Sequence, residues 1–134
     1  MSEPLPHDEV YVRLGESRIH GIGVFACKAI KAGTNVFAAD QRLISWVPAS
    51  LLEDPSLDEF QRSFYRDFAI RRGQQLGCPS NFNLLTVGWY VNDPDPGEEP
   101  NLAPTSQFEL IALRDIAPGE ELTIRYSSYS TAGV

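Results

Sequence analysis

Arg114-Asp115-Ile116-Ala117-Pro118-Gly119-Glu120-Glu121-Leu122-Thr123-Ile124-Arg125-Tyr126 is the stretch whose reading decides the fold. Phe108 to Leu113 before it is apolar and alternating, as a strand is. Asp115 to Gly119 is turn chemistry, in which Pro118 presets its own φ and Gly119 accepts a positive one. Glu121 to Tyr126 then resumes strand character. The same grammar occurs earlier in the chain. Phe25-Ala26-Cys27-Lys28-Ala29-Ile30-Lys31-Ala32-Gly33-Thr34-Asn35-Val36 aligns without gaps on Ile111 to Leu122, at one constant offset. In each copy a strand ends on a basic residue, an Ile anchors the turn, a Gly follows, and an apolar residue starts the next strand. The spacing predicts two related β hairpins around one β-rich core.

Outward from these copies, residues 1–9 read as a loose leader and 130–134 as a small polar tail. Strands are expected at Val10 to Leu14, Val36 to Ala39 and Leu43 to Val47. Ile19 to Lys28 reads as a turn entering a strand. From Leu57 to Arg72 the apolar residues Leu57, Phe60, Phe64, Phe68 and Ile70 mostly recur three or four apart, which predicts an amphipathic helix. Ser56 or Asp58 would cap it and Gly73 would end it. Gly77 to Ser80 reads as a loop, Leu84 to Val91 as a short strand or a buried loop, and Asp93 to Glu99 as an acidic surface loop.

The bulk numbers suit one domain: 134 residues, 43 % hydrophobic and 22 % charged, with 10 Gly and 10 Pro. The net charge of −7 opposes a nucleic-acid backbone and favours a basic protein segment. No apolar run is long enough to span a bilayer. Cys27, Cys78, His7 and His20 are not at metal-ligand spacing, so no metal site is expected. With two cysteines and no signal peptide in the sequence, a reduced, cytoplasmic protein is expected.

Three short motifs carry chemistry. His20-Gly21-Ile22-Gly23 precedes a strand rather than a helix, which excludes a dinucleotide loop and leaves a turn whose backbone would hold a polar ligand, or an ordinary tight turn. Tyr90-Val91-Asn92-Asp93, with Pro100-Asn101 beyond the acidic loop, offers an amide that can donate and accept, though an Asn there is also a turn former. Tyr126, with Tyr129 behind it, is in isolation a strand-end aromatic.

Taken together and in this order, Gly21-Ile22-Gly23-Val24-Phe25-Ala26, Tyr90-Val91-Asn92 with Pro100-Asn101, and Arg114-Asp115-Ile116 with Gly119-Glu120-Glu121-Leu122 and Tyr126 resemble the SET-domain family. The resemblance runs from about Val10 to Tyr129. It implies a mainly β, β-clip fold of small curved sheets over residues 10–129, with a helical insert at about 48–78. It implies S-adenosylmethionine as cofactor and methyl transfer to the lysine side chain of a basic protein segment. The alternative is a non-catalytic scaffold that binds cofactor or peptide.

By the same resemblance the backbone at His20, Gly21, Ile22 and Gly23 would hold the methionine part of the cofactor. Asn92 would take its amino group and the backbone of Asp93 would contact the adenine. Tyr126 would be catalytic, and Tyr90 and Tyr129 would wall the lysine channel. Two positions depart from the pattern: Asp93 stands where the family has His, and Arg125 where it has Asp. Alternation would put Arg125 opposite Tyr126. Many members close the channel with a C-terminal element, often a cysteine cluster. Without such cysteines, the channel would be left open, or closed by Tyr129 and the tail, or closed by a second chain in a homodimer.

Overall fold

The computed structural model describes residue 3 and residues 5–40 and 44–128. Among these residues eight short strands make three antiparallel sheets, alongside one α-helix. Strands β1 (Val12–Glu16), β2 (Ile22–Ala26) and β8 (Glu121–Leu122) form the first, with β2 in the middle. Strands β3 (Ser45–Pro48), β5 (Gln75–Cys78) and β4 (Ile70–Arg72) form the second, with β5 in the middle. Strands β6 (Leu102–Pro104) and β7 (Leu110–Ala112) make the third. Between β3 and β4 lie a 3-10 turn at Ala49–Glu53 and helix α1 at Glu59–Phe68.

The two sequence copies pair with each other about a local two-fold axis. Ile30 and Ile116 exchange both backbone bonds, at 2.9 and 2.7 Å. On either side the bonds come in equivalent pairs. Gly33 N–H donates to Ala112 O, as Gly119 N–H donates to Ala26 O, both at 2.7 Å. Ala112 N–H donates to Thr34 O, as Ala26 N–H donates to Glu120 O, both at 2.9 Å. The bridge Asn35 to Ile111 is the mate of the pair Phe25 to Glu121. Gly33 and Gly119 both sit near φ +85°, at 88° and 85°, where a side chain would be strained. The buried core forms around this axis from Val24, Ala26, Ile30, Val36, Leu110, Ala112, Ile116 and Leu122, joined by Val12, Val91, Leu102 and Ile124.

Several local expectations are corrected. Val36 to Ala39 is a turn, not a strand: Val36 N–H still bonds Leu110 O, but Ala38 and Asp40 bond back to Asn35 and Phe37. The first copy therefore lacks the outgoing strand that β8 supplies in the second. The helix stops at Phe68, because Ile70 to Arg72 is drawn into β4 by pairing with β5. Gly73, at φ 58°, turns the β4–β5 hairpin instead of ending the helix. Gly77 and Cys78 belong to buried β5, where a Cβ on Gly77 would meet the Trp46 ring at 3.0 Å. β1 begins two positions later than Val10, β3 begins at Ser45, and Leu43 lies outside the described residues. Leu84 to Val91 holds 3-10 turns at Phe82–Leu84 and Val87–Tyr90. The strand expected at Glu121 to Tyr126 ends at Leu122. Thr123 and Ile124 continue as isolated parallel bridges to Asn92 and Leu102, and Tyr126–Ser128 is a 3-10 turn.

Candidate functional site

The site is built on one buried amide. Asn92 is 7 % exposed and follows the core residue Val91. Its backbone carbonyl accepts from Ile124 N–H at 3.0 Å, which fixes it beside the segment leading to Tyr126. Its side-chain Nδ2 faces four acceptors: Glu121 Oε2 at 3.0 Å, His20 O at 3.1 Å, Ser17 Oγ at 3.2 Å and Ile22 O at 3.3 Å. A carboxylate and two peptide carbonyls cannot donate, so the amide orientation is fixed. Among the described residues no bond falls on its Oδ1, and Thr86 Oγ1 is the sole fully buried side-chain polar atom without a partner there, so Asn92 Oδ1 keeps some exposure and is able to accept from a ligand.

Glu121 and Ser17 hold the other side of this network. Ser17 Oγ donates to the Glu121 carboxylate at 2.8–2.9 Å and accepts from Ile19 N–H at 3.0 Å and His20 N–H at 3.3 Å. Ser17 N–H donates to Gly21 O at 2.8 Å. The carbonyls of His20, Gly21 and Ile22 are thus all turned toward the chain. Gly21, at φ 47°, has open space where a Cβ would be, whereas a Cβ on Gly23 would come within 2.3 Å of Glu121 Oε2. The first glycine is required by conformation and the second by close approach. The side chains of His20 and Ile22 are exposed, Ile22 by 52 %.

Tyr126 stands at the end of the same segment. Its hydroxyl donates to Val91 O at 2.8 Å, and its N–H donates to Asp93 Oδ1 at 3.2 Å. Although the residue is 39 % exposed, its hydroxyl bond is part-buried. Burial first, and then the nearby Asp93 charge, raise its pKa above the ordinary tyrosine value, against a smaller opposing effect of the backbone bond to Asp93. Arg125 is exposed and donates to Glu98 O at 3.1 Å. Tyr90 is half-buried and meets Phe68 of α1 edge-on, at 5.6 Å between ring centres. Tyr129 lies outside the described residues.

The structure therefore brings His20, Gly21, Ile22, Gly23, Asn92, Asp93 and Tyr126 into one connected region. The sequence reading missed Ser17, Glu121, Arg18 and Asn101 as its supports. Asn101 is 2 % exposed; its side chain donates to Glu121 O at 2.9 Å and accepts from Thr123 N–H at 2.8 Å. Pro100-Asn101 had been legible as a motif, but a pairing between residues so far apart in sequence leaves no periodic signal. Arg18 Nη1 meets Asp95 at 2.5 Å and Nη2 meets Glu98 at 3.3 Å, so part of the acidic loop's charge is already neutralised. Among the described residues no group of three or more His, Cys, Asp or Glu is arranged to hold a metal ion.

The profile of the SET domain matches residues 21–127. The chain belongs to the SET-domain family. Similar solved structures agree on the fold. A Plasmodium falciparum protein, described as a histone methyltransferase candidate, is 17 % identical, with a TM-score of 0.54 over 87 % of this chain and 93 % of that one. A humanized mutant of the Chaetomium thermophilum Polycomb Repressive Complex 2, bound to the inhibitor GSK126, is 19 % identical, with a TM-score of 0.54 over 90 % of this chain and 15 % of that chain. This SET domain spans only a small part of the latter. A search of curated proteins returns no match.

Proposed function

We infer that this SET domain is a protein-lysine N-methyltransferase that uses S-adenosylmethionine and acts on a basic, lysine-containing protein segment. The observation that carries the reading is the pairing of Tyr126, its hydroxyl held at 2.8 Å on Val91 O, with Asn92, whose Oδ1 is left open one residue further along. An amide acceptor suits an ammonium group, and the backbone N–H groups of the Gly21 to Gly23 loop suit a carboxylate; these residues fit the amino-acid end of the cofactor. When bound, the cofactor supplies an electrophilic methyl on sulfur. The chain supplies alignment.

Tyr126 gives its proton to Val91 O, and a phenol oxygen is also an acceptor, here for an N–H of a neutral lysine amine. That bond turns the amine's own lone pair away from the tyrosine. A phenol held neutral is the right partner, since a phenolate would favour the ammonium, which cannot attack. Half-buried Tyr90 would wall the channel and help disfavour the charged amine. The net charge of −7 suits a basic protein partner rather than nucleic acid. A homodimer closing the channel and a cytoplasmic setting belong to the same proposal. Asp93 at the cofactor edge, in place of the family's His, favours a second reading, a scaffold that binds without transfer.

The test is transfer of labelled methyl from S-adenosylmethionine into a protein lysate. Wild type labels protein lysines. Tyr126→Phe loses about a hundredfold or more of the rate and keeps cofactor affinity. Normal transfer by Tyr126→Phe removes the tyrosine from its role, and cofactor binding without any transfer by wild type selects the scaffold reading.

A further inference from the structure

The acidic loop between the second and third motifs is tied down at three points. Asp93 Oδ1 accepts from Tyr126 N–H at 3.2 Å. Asp95 and Glu98 both take the guanidinium of Arg18, Asp95 at 2.5 Å and Glu98 at 3.3–3.4 Å. Glu98 O accepts from Arg125 Nη2 at 3.1 Å. A turn inside the loop, from Glu98 N–H to Asp95 O at 2.9 Å, brings the two carboxylates to one guanidinium. Arg18 lies immediately after Ser17 and two residues before His20, in the segment whose amides Ser17 Oγ caps. Arg125 immediately precedes Tyr126.

We propose that Arg18, with Arg125, is a positioning residue that clasps the Asp93 to Glu99 loop between the His20–Gly23 turn and Tyr126, so that the two halves of the site are held as one unit. The arginines act from outside the site and touch no reacting atom. Asp93 and Arg125 are both used in the clasp. Arg18 and its partners are substantially exposed, at 68 % for Arg18, 34 % for Asp95 and 54 % for Glu98. The clasp is therefore open to salt and is worth a modest factor rather than the fold itself. The acidic loop becomes a structural strap first, and a substrate attractor only with the charge left over.

The test is amide hydrogen exchange on the whole cofactor-free chain, comparing wild type, Arg18→Ala, Asp95→Ala and the double variant. Arg18→Ala is expected to exchange about three- to tenfold faster in peptides covering 17–23 and 125–128, the scale of an exposed charge network. Peptides from β3, α1 and β5 should keep the wild-type rate. The double variant should be no worse than Arg18→Ala alone, since both remove the same contact. Unchanged exchange in Arg18→Ala, equal acceleration everywhere, or additive effects of the two substitutions would overturn the clasp. A titration with S-adenosylhomocysteine is the second readout, and rests on the reading under Proposed function: affinity should fall by a similar factor. If wild type binds no cofactor, that reading fails while the exchange data still decide the clasp.

Discussion

At the residue scale, Tyr126 and Asn92 show how much chemistry a short motif can announce and how much it leaves out. The order Gly21-x-Gly23, Asn92, Tyr126 was enough to single out residues that the fold brings into one region, the candidate site. Its supports were not legible. Ser17 and Glu121 are ordinary polar residues in sequence, and only their meeting across the sheet makes one carboxylate fix both Asn92 and the loop. Asp93 was read for its backbone alone; its side chain also accepts from Tyr126 N–H, at the start of the 3-10 turn Tyr126–Ser128. A pH consequence follows. Tyr126 has its pKa raised above the ordinary 10.0 by burial and by Asp93, so its neutral form is favoured in the fold. Its contribution to stability is complete below the unfolded value and is lost as pH rises through the folded one. The difference in ultraviolet phenolate absorbance between wild type and Tyr126→Phe should titrate above 10.0, and Asp93→Asn should move that titration downward. A difference titration at or below the ordinary value contradicts the geometry.

At the scale of the element, α1 was legible and its end was not. The apolar spacing through Phe68 continues into Ile70, so periodicity alone runs on to Arg72. Cross-strand pairing of Ile70 to Arg72 with Gln75 to Gly77 wins over helix propensity there. The start was narrowed from two candidates to one. Asp58 accepts from Gln61 N–H at 2.7 Å while Gln61 Oε1 accepts from Asp58 N–H at 3.0 Å, a reciprocal box. Ser56 instead bonds Asp54. Asp58→Ala should therefore cost about 1 kcal/mol in denaturant unfolding, and Ser56→Ala much less. Equal costs would place the cap elsewhere. The helix also carries exposed aromatics, Phe60 at 83 % and Phe64 at 45 %, the latter stacked on Phe82 at 5.0 Å.

At the scale of the whole molecule, the repeat was the most productive reading. The two gapless copies predicted two related β hairpins around one core; the common core is there, but neither copy is a hairpin, because β2 pairs with β8 and β7 with β6, and the copies instead pair with each other through Ile30 and Ile116 with matched bonds on each side. What broke the symmetry, the turn at Val36 to Ala39 in place of a strand, was invisible because Val-Phe-Ala-Ala suits either state. The symmetric core positions the asymmetric site: β2 carries the glycine loop, β8 carries Glu121, and the bridges of Thr123 and Ile124 bring Asn92 and Tyr126 together. The central claim is that this arrangement binds S-adenosylmethionine. Isothermal titration calorimetry of the whole chain with S-adenosylmethionine and S-adenosylhomocysteine tests it most directly. Saturable binding of either ligand at one site, weakened by Asn92→Ala, is the predicted result; no heat from either at millimolar ligand would contradict the account.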